Sequence, residues 1–255
     1  RSDRKDHRPT DLCFKTIDEI KRQARGNGFN SFHFSLSGGE PTFHPGYLDI
    51  LKHLANDVGN TNYTSVHMTT NMSRNMKWHQ TYCDTVAKVH RASITASFHS
   101  EFAKKEEFAD KLLFCMEHDV QVTINMVMVP EVFDLYYDNA LFFHKQGINV
   151  TLKPQSDPTA SKVVDGYTDE MRAKLHNGMP QRSYTEQKAA EARVVERPKP
   201  KFEIPDYTIG RNDASVPWHM QVEFRDEDGE PWYMDQAERF NAFDFNKFKG
   251  WECSS

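Results

Sequence analysis

The sequence has 255 residues and a formal net charge of −5, and its Lys and Arg residues are interspersed with Asp and Glu, which excludes an extended basic surface for nucleic acid. It has no apolar run of about 18 residues and begins with charged residues, so we expect neither a membrane span nor a signal peptide. Four cysteines without a CxxC pair indicate a reduced, cytoplasmic compartment, with Cys83 and Cys115 packed inside helices.

Helical and extended patterns alternate along the first 155 residues. Apolar residues at helical spacing predict helices at 10–26, 46–57, 75–90, 103–118 and 133–146. Two-residue alternation predicts strands at 31–37, 65–70, 92–98, 120–129 and 149–153. Alternation of helices and strands favours a parallel sheet whose strands are joined by helical crossovers.

The predicted strands are apolar on one face and polar on the other. In the strand at 31–37, aromatic and aliphatic residues alternate with His33, Ser35 and Ser37, and the later strands repeat this pattern. A doubly wound sheet buries both of its faces and would be apolar throughout. We therefore predict an α/β fold in which a partial (β/α) barrel surrounds a polar lumen, with an ordinary packed barrel as the alternative.

The alternation ends near Gln155. Beyond it the sequence predicts a short helix at 168–176, an extended connector around 197–201, and a hairpin with strands at 220–224 and 232–234. These features divide the chain into a barrel core, a connector and a small C-terminal extension, at 1–155, 156–217 and 218–255.

A glycine-rich corner, Ser37-Gly38-Gly39-Glu40-Pro41, follows the first predicted strand. The C-terminal ends of the strands carry the active site in (β/α) barrels. Two glycines let the backbone approach a ligand closely, Glu40 offers a carboxylate to a cationic group, and Pro41 stiffens the exit. The alternative is a plain Gly-Gly turn with a solvated glutamate.

Together with Thr42-Phe43-His44-Pro45, this corner resembles the GGEP motif of radical S-adenosylmethionine (SAM) enzymes. The resemblance implies that Gly38, Gly39 and Glu40 hold the amino group of the methionine part of SAM. It also implies SAM-binding positions at later strand ends, all on the polar face: Asn71, Ser97, His99, Asn125 and Lys153.

These later positions match the family less closely than the corner does. Asn71 ends a segment similar to the family's TNG strand end, with Met72 in place of glycine. By the resemblance, Ser97 faces the ribose or carboxylate of SAM and Asn125 faces the ribose hydroxyls. Lys153, with Gln155, lies near the adenine or the substrate.

The CxxxCxxC loop that holds a 4Fe–4S cluster in this family is absent from the sequence. In the family it precedes a helix like the one predicted at 10–26, so we expect it upstream of Arg1. Residues 248–253 resemble the entry to a SPASM- or twitch-type segment, in which Cys253 is a candidate ligand of an auxiliary cluster. The alternative for Cys253 is a lone surface thiol.

The resemblance implies a reaction in which a reduced cluster passes one electron to SAM. The resulting 5′-deoxyadenosyl radical removes hydrogen from a substrate. A SPASM-like tail is typical of enzymes that act on a peptide or protein. The implied electron donor is a protein such as flavodoxin or ferredoxin.

Two other functions are compatible with the sequence. A zinc-dependent barrel hydrolase would use inward-facing His33, His67 and His99, with His44 and Glu40 near the mouth. Alternatively, the chain is a non-catalytic scaffold that kept the barrel and lost the chemistry.

Overall fold

The computed structural model divides the chain into two compact units, Arg1–Phe202 and Glu203–Ser255. The structure describes residues 7–26, 31–36, 38–56, 63–159, 162–193, 222–225 and 231–234. Two predicted site residues, Ser37 and Cys253, lie outside the described residues.

The first unit alternates helices and strands. Its helices are α1 Thr10–Gly26, α2 Tyr47–Ala55, α3 Met76–Val86, α4 Lys105–Glu117, α5 Phe133–Lys145, α6 Asp169–Asn177 and α7 Tyr184–Arg193. Its strands are β1 Ser31–Leu36, β2 Tyr63–Thr70, β3 Arg91–Ser97, β4 Val120–Met128 and β5 Asn149–Pro154. The elements predicted in the first 155 residues, and the short helix predicted after them, are confirmed to within a few residues at their ends.

The five strands of this unit form one parallel sheet in sequential order, β1-β2-β3-β4-β5. Register pairs such as Phe34 with Val66 and Ile94 with Val122 place residues of like polarity side by side. Right-handed crossovers between neighbouring parallel strands put the connecting helices on one face. A doubly wound sheet reverses its strand order, which the described strands do not do. The predicted α/β fold with a parallel sheet is therefore confirmed.

The apolar face of the sheet packs against the helices and forms the core. Val66, Ile94 and Ile124 are no more than 1% exposed. The helices contribute apolar residues at helical spacing, such as Leu51 and Leu54 of α2. Burying a side chain of this size stabilises the fold by about 1.5–3 kcal/mol, so the alternation fixes which face of each strand meets the helices.

The opposite face of the sheet carries the polar residues. Its side chains are exposed or half-buried, from His33 on β1 through Thr95 on β3 to Thr151 on β5. Ser65 on β2 is an exception at 5% exposure. The predicted two-sided character of the strands is therefore confirmed.

Cys83 and Cys115 pack against each other within the core. They lie on the neighbouring helices α3 and α4, both are fully buried, and their Sγ atoms are 3.8 Å apart. Their predicted role as buried packing residues is confirmed.

A helix that the sequence does not predict, α7, lies within the predicted connector. Ala190 is its buried residue, so it lacks the apolar stripe that reveals an amphipathic helix. It is held instead at the C-terminal end of α5, where Arg193 Nη1 donates to Gln146 O at 3.1 Å. A Cβ on Gly147 would lie 2.6 Å from the Cβ of Ala190, so the close approach of α7 requires glycine there.

In the second unit, the described residues are two strands, Val222–Arg225 (β6) and Pro231–Met234 (β7). They pair antiparallel, which confirms the predicted hairpin. Among all described residues, none of the helices reaches the length and apolar character required of a membrane span.

Candidate functional site

The loops that follow the strands emerge at the C-terminal edge of the sheet, where parallel α/β folds bind their ligands. The glycine-rich corner follows β1, and Asn71 is the first residue after β2. Ser97 ends β3 and pairs in register with Asn125 on β4. This edge is therefore the candidate site.

Glu40 joins the loop after β1 to the end of β2. Its Oε1 accepts hydrogen bonds from Thr42 N at 3.2 Å, Thr42 Oγ1 at 2.6 Å and Thr70 Oγ1 at 2.8 Å. Its Oε2 accepts one from Asn71 N at 2.6 Å. Hydrogen bonds to a carboxylate are stronger than those between neutral groups, so Glu40 holds the loop after β1 firmly against the end of β2. Oε2, with a single donor, keeps acceptor capacity for a ligand.

Gly38 and Gly39 form a bend that is open on its outer side. Their φ angles are +112° and +54°, which L side chains rarely adopt. A Cβ on either residue would meet no heavy atom within 4 Å. Since space is available, backbone conformation is what requires glycine here, and the exposed backbone can approach a ligand closely.

Met72 has a left-handed backbone of the kind that glycine adopts most readily. Its φ is +56°, a left-handed value that costs on the order of 1–3 kcal/mol in a residue with a side chain. Thr70 Oγ1 accepts from Met72 N at 3.1 Å, and Lys111 Nζ donates to Met72 O at 2.9 Å. The Met72 side chain is 1% exposed, and its burial contributes about 1.5–3 kcal/mol, which offsets the backbone strain.

Arg74 provides a second link between the two loops. Its Nε and Nη2 donate to Thr42 O at 3.0 and 2.6 Å. Its guanidinium carbon lies 5.1 Å from the centre of the Phe43 ring, a cation–π contact. The loops after β1 and β2 are thus tied together by a carboxylate and by a guanidinium.

His79, on α3, lies in the core near this loop. It is fully buried, and burial together with the nearby Lys111 lowers its pKa to about 4. Burial also lowers the pKa of the half-buried Lys111. His79 is therefore neutral at pH 7, and Lys111 contributes the positive charge beside Met72.

The other predicted site residues lie on the same edge or in its loops. Ser97 and Asn125 are half-buried, whereas Asn71 and Lys153 are exposed. His99 is exposed in the loop after β3. The structure joins Glu40 directly to Asn71, and it sets Ser97 and Asn125 side by side.

Pro41 is buried and opens a short 3₁₀ turn, Pro41–Phe43, that follows the corner. Glu40 caps this turn through its bond to Thr42 N. Pro41 therefore shapes the exit of the loop, as the sequence predicts.

Two histidines lie further from this edge, on the polar face of the sheet. His33 Nδ1 bonds to Ser65 Oγ and His67 Nδ1 bonds to Ser93 Oγ, each at 2.8 Å. The two rings are stacked, with centres 6.4 Å apart and planes at 30°. Burial and the neighbouring His33 lower the pKa of His67.

Of the candidate zinc ligands, His33, His67, His44 and Glu40 have other hydrogen-bond partners. His44 Nε2 bonds to Arg8 O at 2.7 Å, and its Nδ1 accepts from Gly46 N at 3.1 Å, so both of its ring nitrogens are engaged. Within the described ranges, no three His, Cys, Asp or Glu side chains are grouped so that they could hold a metal ion.

Three residues that hold the loops after β1 and β2 were given no role from the sequence: Thr42, Arg74 and, on α4, Lys111. Thr42 is only two residues from Glu40, so a local turn could have been anticipated. Arg74 reaches across 32 residues to Thr42 O, and Lys111 reaches across 39 residues to Met72 O. No local pattern encodes such contacts.

No protein-family model matches the chain, and no curated protein matches it.

Proposed function

We propose that this chain is the core of a radical SAM enzyme and that its sheet is part of a (β/α) barrel with a polar interior. The observation that carries the proposal is the corner at Gly38–Glu40, with two left-handed glycines and a carboxylate bonded to the end of β2. A plain turn would leave Glu40 solvated, so these contacts favour a built site. The GGEP resemblance supplies the identity of the ligand.

The residues at this edge fit the functional groups of SAM. The half-buried carboxylate of Glu40 and the open backbone of Gly38 and Gly39 suit its cationic amino group. Half-buried Ser97 and Asn125 offer a hydroxyl and an amide to its carboxylate and ribose hydroxyls. The hydrogen-bond donors and acceptors at this edge therefore complement the functional groups of SAM.

Asn71, His99 and Lys153 complete the proposed site. Asn71 Oδ1 accepts from Ser73 N at 3.0 Å, so its side chain also holds the loop after β2. His99, in the loop after β3, and Lys153, near the end of β5, are both exposed, and there they would meet the adenine or the substrate. The proposal gives these residues a binding role and no acid–base role.

The sequence contains no CxxxCxxC triplet, so the proposal requires cysteines upstream of Arg1 to hold the 4Fe–4S cluster. When bound beside the reduced cluster, SAM supplies a 5′-deoxyadenosyl radical that removes hydrogen from the substrate. The residues of this chain bind and orient SAM. The loops after β1 and β2, which Glu40 and Arg74 link by hydrogen bonds, keep the site in shape before the ligand binds.

The partners follow from the resemblance. We propose a peptide or protein substrate, an electron donor such as flavodoxin or ferredoxin, and a cytoplasmic location. Cys253 is proposed as a ligand of an auxiliary cluster in a SPASM- or twitch-type segment.

SAM binding tests this proposal. In protein extended by its upstream coding sequence and reconstituted with a cluster, Asn125→Ala should weaken SAM binding about five- to tenfold, since a lost hydrogen bond costs about 1–1.4 kcal/mol. Gly38→Val should abolish binding, because a β-branched side chain does not adopt a φ of +112°. Calorimetric titration of SAM measures both effects.

Asn177→Ala is the matched control, because Asn177 is exposed at the end of α6 and has no role in the proposed SAM site. It should bind SAM as wild type does. Equal affinity of the Asn125→Ala and Asn177→Ala proteins would remove Asn125 from the site. Absence of SAM binding in the wild-type holoprotein would refute the proposal.

A further inference from the structure

The polar face of the sheet carries bases and no acids. Among its described side chains, from Ser31 on β1 to Lys153 on β5, none is Asp or Glu, although the chain has 37 acidic residues against 32 Lys and Arg. Acids lie just outside this face: Glu40 and Glu101 in the loops after β1 and β3, whose carboxylates already accept hydrogen bonds, and Asp119 immediately before β4. A face of this composition attracts an anion.

Three basic side chains, His33, His67 and Arg91, lie towards the N-terminal end of this face, and we name them the basic cluster. His67 is on β2, and His33 and Arg91 are on the flanking strands β1 and β3, both in register with Ser65. Ser65 is two residues before His67 on β2. Since neighbouring strands are about 4.8 Å apart, β1 and β3 are about 10 Å apart, a gap that the Arg91 side chain and the two rings can close around one ligand.

Hydrogen bonds within the sheet orient the basic cluster. The Nδ1 atoms of His33 and His67 each bond to a serine hydroxyl on the next strand at 2.8 Å. In each ring, Nε2 is therefore the nitrogen that can bond to a ligand. Arg91 Nε and Nη2 donate to Gln121 Oε1, which leaves other N–H groups of the guanidinium for a ligand.

The charge of the basic cluster suits a ligand with one negative charge. Burial and the nearby His33 lower the pKa of His67, so that ring is mostly neutral at pH 7 in the free site. The titratable or charged groups that face it from the flanking strands are His33 on β1 and Arg91 on β3. Arg91 therefore supplies the permanent positive charge of the basic cluster, which a carboxylate ligand complements.

We infer that the basic cluster binds the carboxylate of an organic acid, with Nε2 of His33 and His67 and the guanidinium of Arg91 as donors. The next step rests on the proposed function. The acid is then the substrate of the enzyme, so the substrate carries a carboxylate. Its carboxylate would lie towards the N-terminal end of the polar face, and the rest of the acid would extend towards the strand ends at which SAM is proposed to bind.

Acetate is the probe for this site. Histidine ring signals of the wild-type chain are followed by NMR against pH, in acetate and in chloride of equal ionic strength. A carboxylate that binds the protonated ring more tightly than the neutral one raises the titration midpoint of His67, by up to about 0.6 pH unit when acetate is at three times its dissociation constant from the protonated form. His118, which caps the C-terminal end of α4, and His176, on α6, should show no difference between acetate and chloride.

Two substitutions to glutamine test whether the basic cluster is the site. Arg91→Gln should abolish the acetate response of His67, and Arg22→Gln, on the exposed face of α1, should leave it unchanged. If Arg91→Gln does not fold, His33→Gln provides a second test. In that protein the shift of the His67 midpoint by acetate should be smaller than in wild type.

Three results would overturn the inference. They are equal His67 midpoints in acetate and chloride, a wild-type response in both the Arg91→Gln and His33→Gln proteins, or a larger shift with inorganic phosphate than with acetate. The titration uses neither SAM nor a cluster. A failure of SAM binding therefore does not refute the carboxylate site. Likewise, a failure of acetate binding does not refute the SAM site.

Discussion

At the scale of single residues, Glu40 and Met72 explain how the loops at the strand ends keep their shape. Glu40 accepts hydrogen bonds from both loops, and Met72 holds a left-handed backbone that Thr70 and Lys111 fix from either side. A ligand that binds here meets donors and acceptors that are already in position. Preorganised polar groups of this kind bind a charged ligand without a cost of rearrangement.

His79 should make the stability of the protein depend on pH. In the unfolded chain a histidine takes up its proton near pH 6.5, whereas the buried His79 has a pKa of about 4. The unfolded state therefore binds more protons between these values, and stability is full above pH 6.5 and falls as the pH drops towards 4. The loss attributable to His79 is about 2 kcal/mol between pH 7 and pH 5.

Urea unfolding of wild-type and His79→Gln proteins at pH 7 and pH 5 measures this loss. His79→Gln should lose about 2 kcal/mol less than wild type over that interval, because glutamine does not titrate. The same substitution at the exposed His176 should keep the wild-type dependence. An identical pH dependence in the wild-type and His79→Gln proteins would contradict the account.

The sequence predicts the residues of the corner but not their contacts. Gly38 and Gly39 signal a special backbone because few residues other than glycine adopt positive φ. Met72 gives no such signal, and only its place after Thr70 and Asn71 indicated a glycine-like position. The carboxylate of Glu40 was expected to await a ligand, whereas the fold engages it with Thr42, Thr70 and Asn71.

At the scale of the elements, α7 differs from the other helices in how it is held. Its contacts are an alanine against a glycine and arginine side chains that donate to carbonyls at the end of α5. Arg182, just before α7, donates to His144 O at 2.7 Å and Ile148 O at 2.9 Å. An apolar periodicity search cannot detect a helix that is attached in this way.

Gly147→Ala should detach α7. The new Cβ would lie 2.6 Å from the Cβ of Ala190, so one of the two must move, at a cost of about 1–3 kcal/mol beyond the strain of the φ of +92°. Urea unfolding measures the loss of stability. Amide hydrogen exchange should show faster exchange in residues 184–193 than in α5.

Gly166→Ala is the matched control, because Gly166 has a φ of +102° but its Cβ would meet Pro130 at an ordinary 3.4 Å. It should carry the backbone strain without the clash. Ala190→Gly should restore part of the stability of Gly147→Ala, since it removes the clashing methyl group. Equal effects of the Gly147→Ala and Gly166→Ala substitutions would show that α7 does not pack there as described.

At the scale of the whole molecule, most of what the sequence predicts comes from the alternation of apolar and polar residues along each strand. Alternation such as Ile94, Thr95 and Ala96 indicates both the strand and the face that meets the helices. Sequential parallel pairing then follows from the helix between each pair of strands. Closure of the sheet into a barrel depends on tilt and stagger across many strands, which no single segment of sequence specifies.

Formation of 5′-deoxyadenosine from SAM tests the central claim most directly. The protein is extended by its upstream coding sequence, reconstituted with iron and sulfide without oxygen, and given a one-electron reductant and SAM. The account predicts that 5′-deoxyadenosine accumulates and that Gly38→Val abolishes it. A holoprotein that contains a reducible cluster yet leaves SAM intact, or an upstream sequence without a cysteine triplet, would contradict the radical SAM proposal.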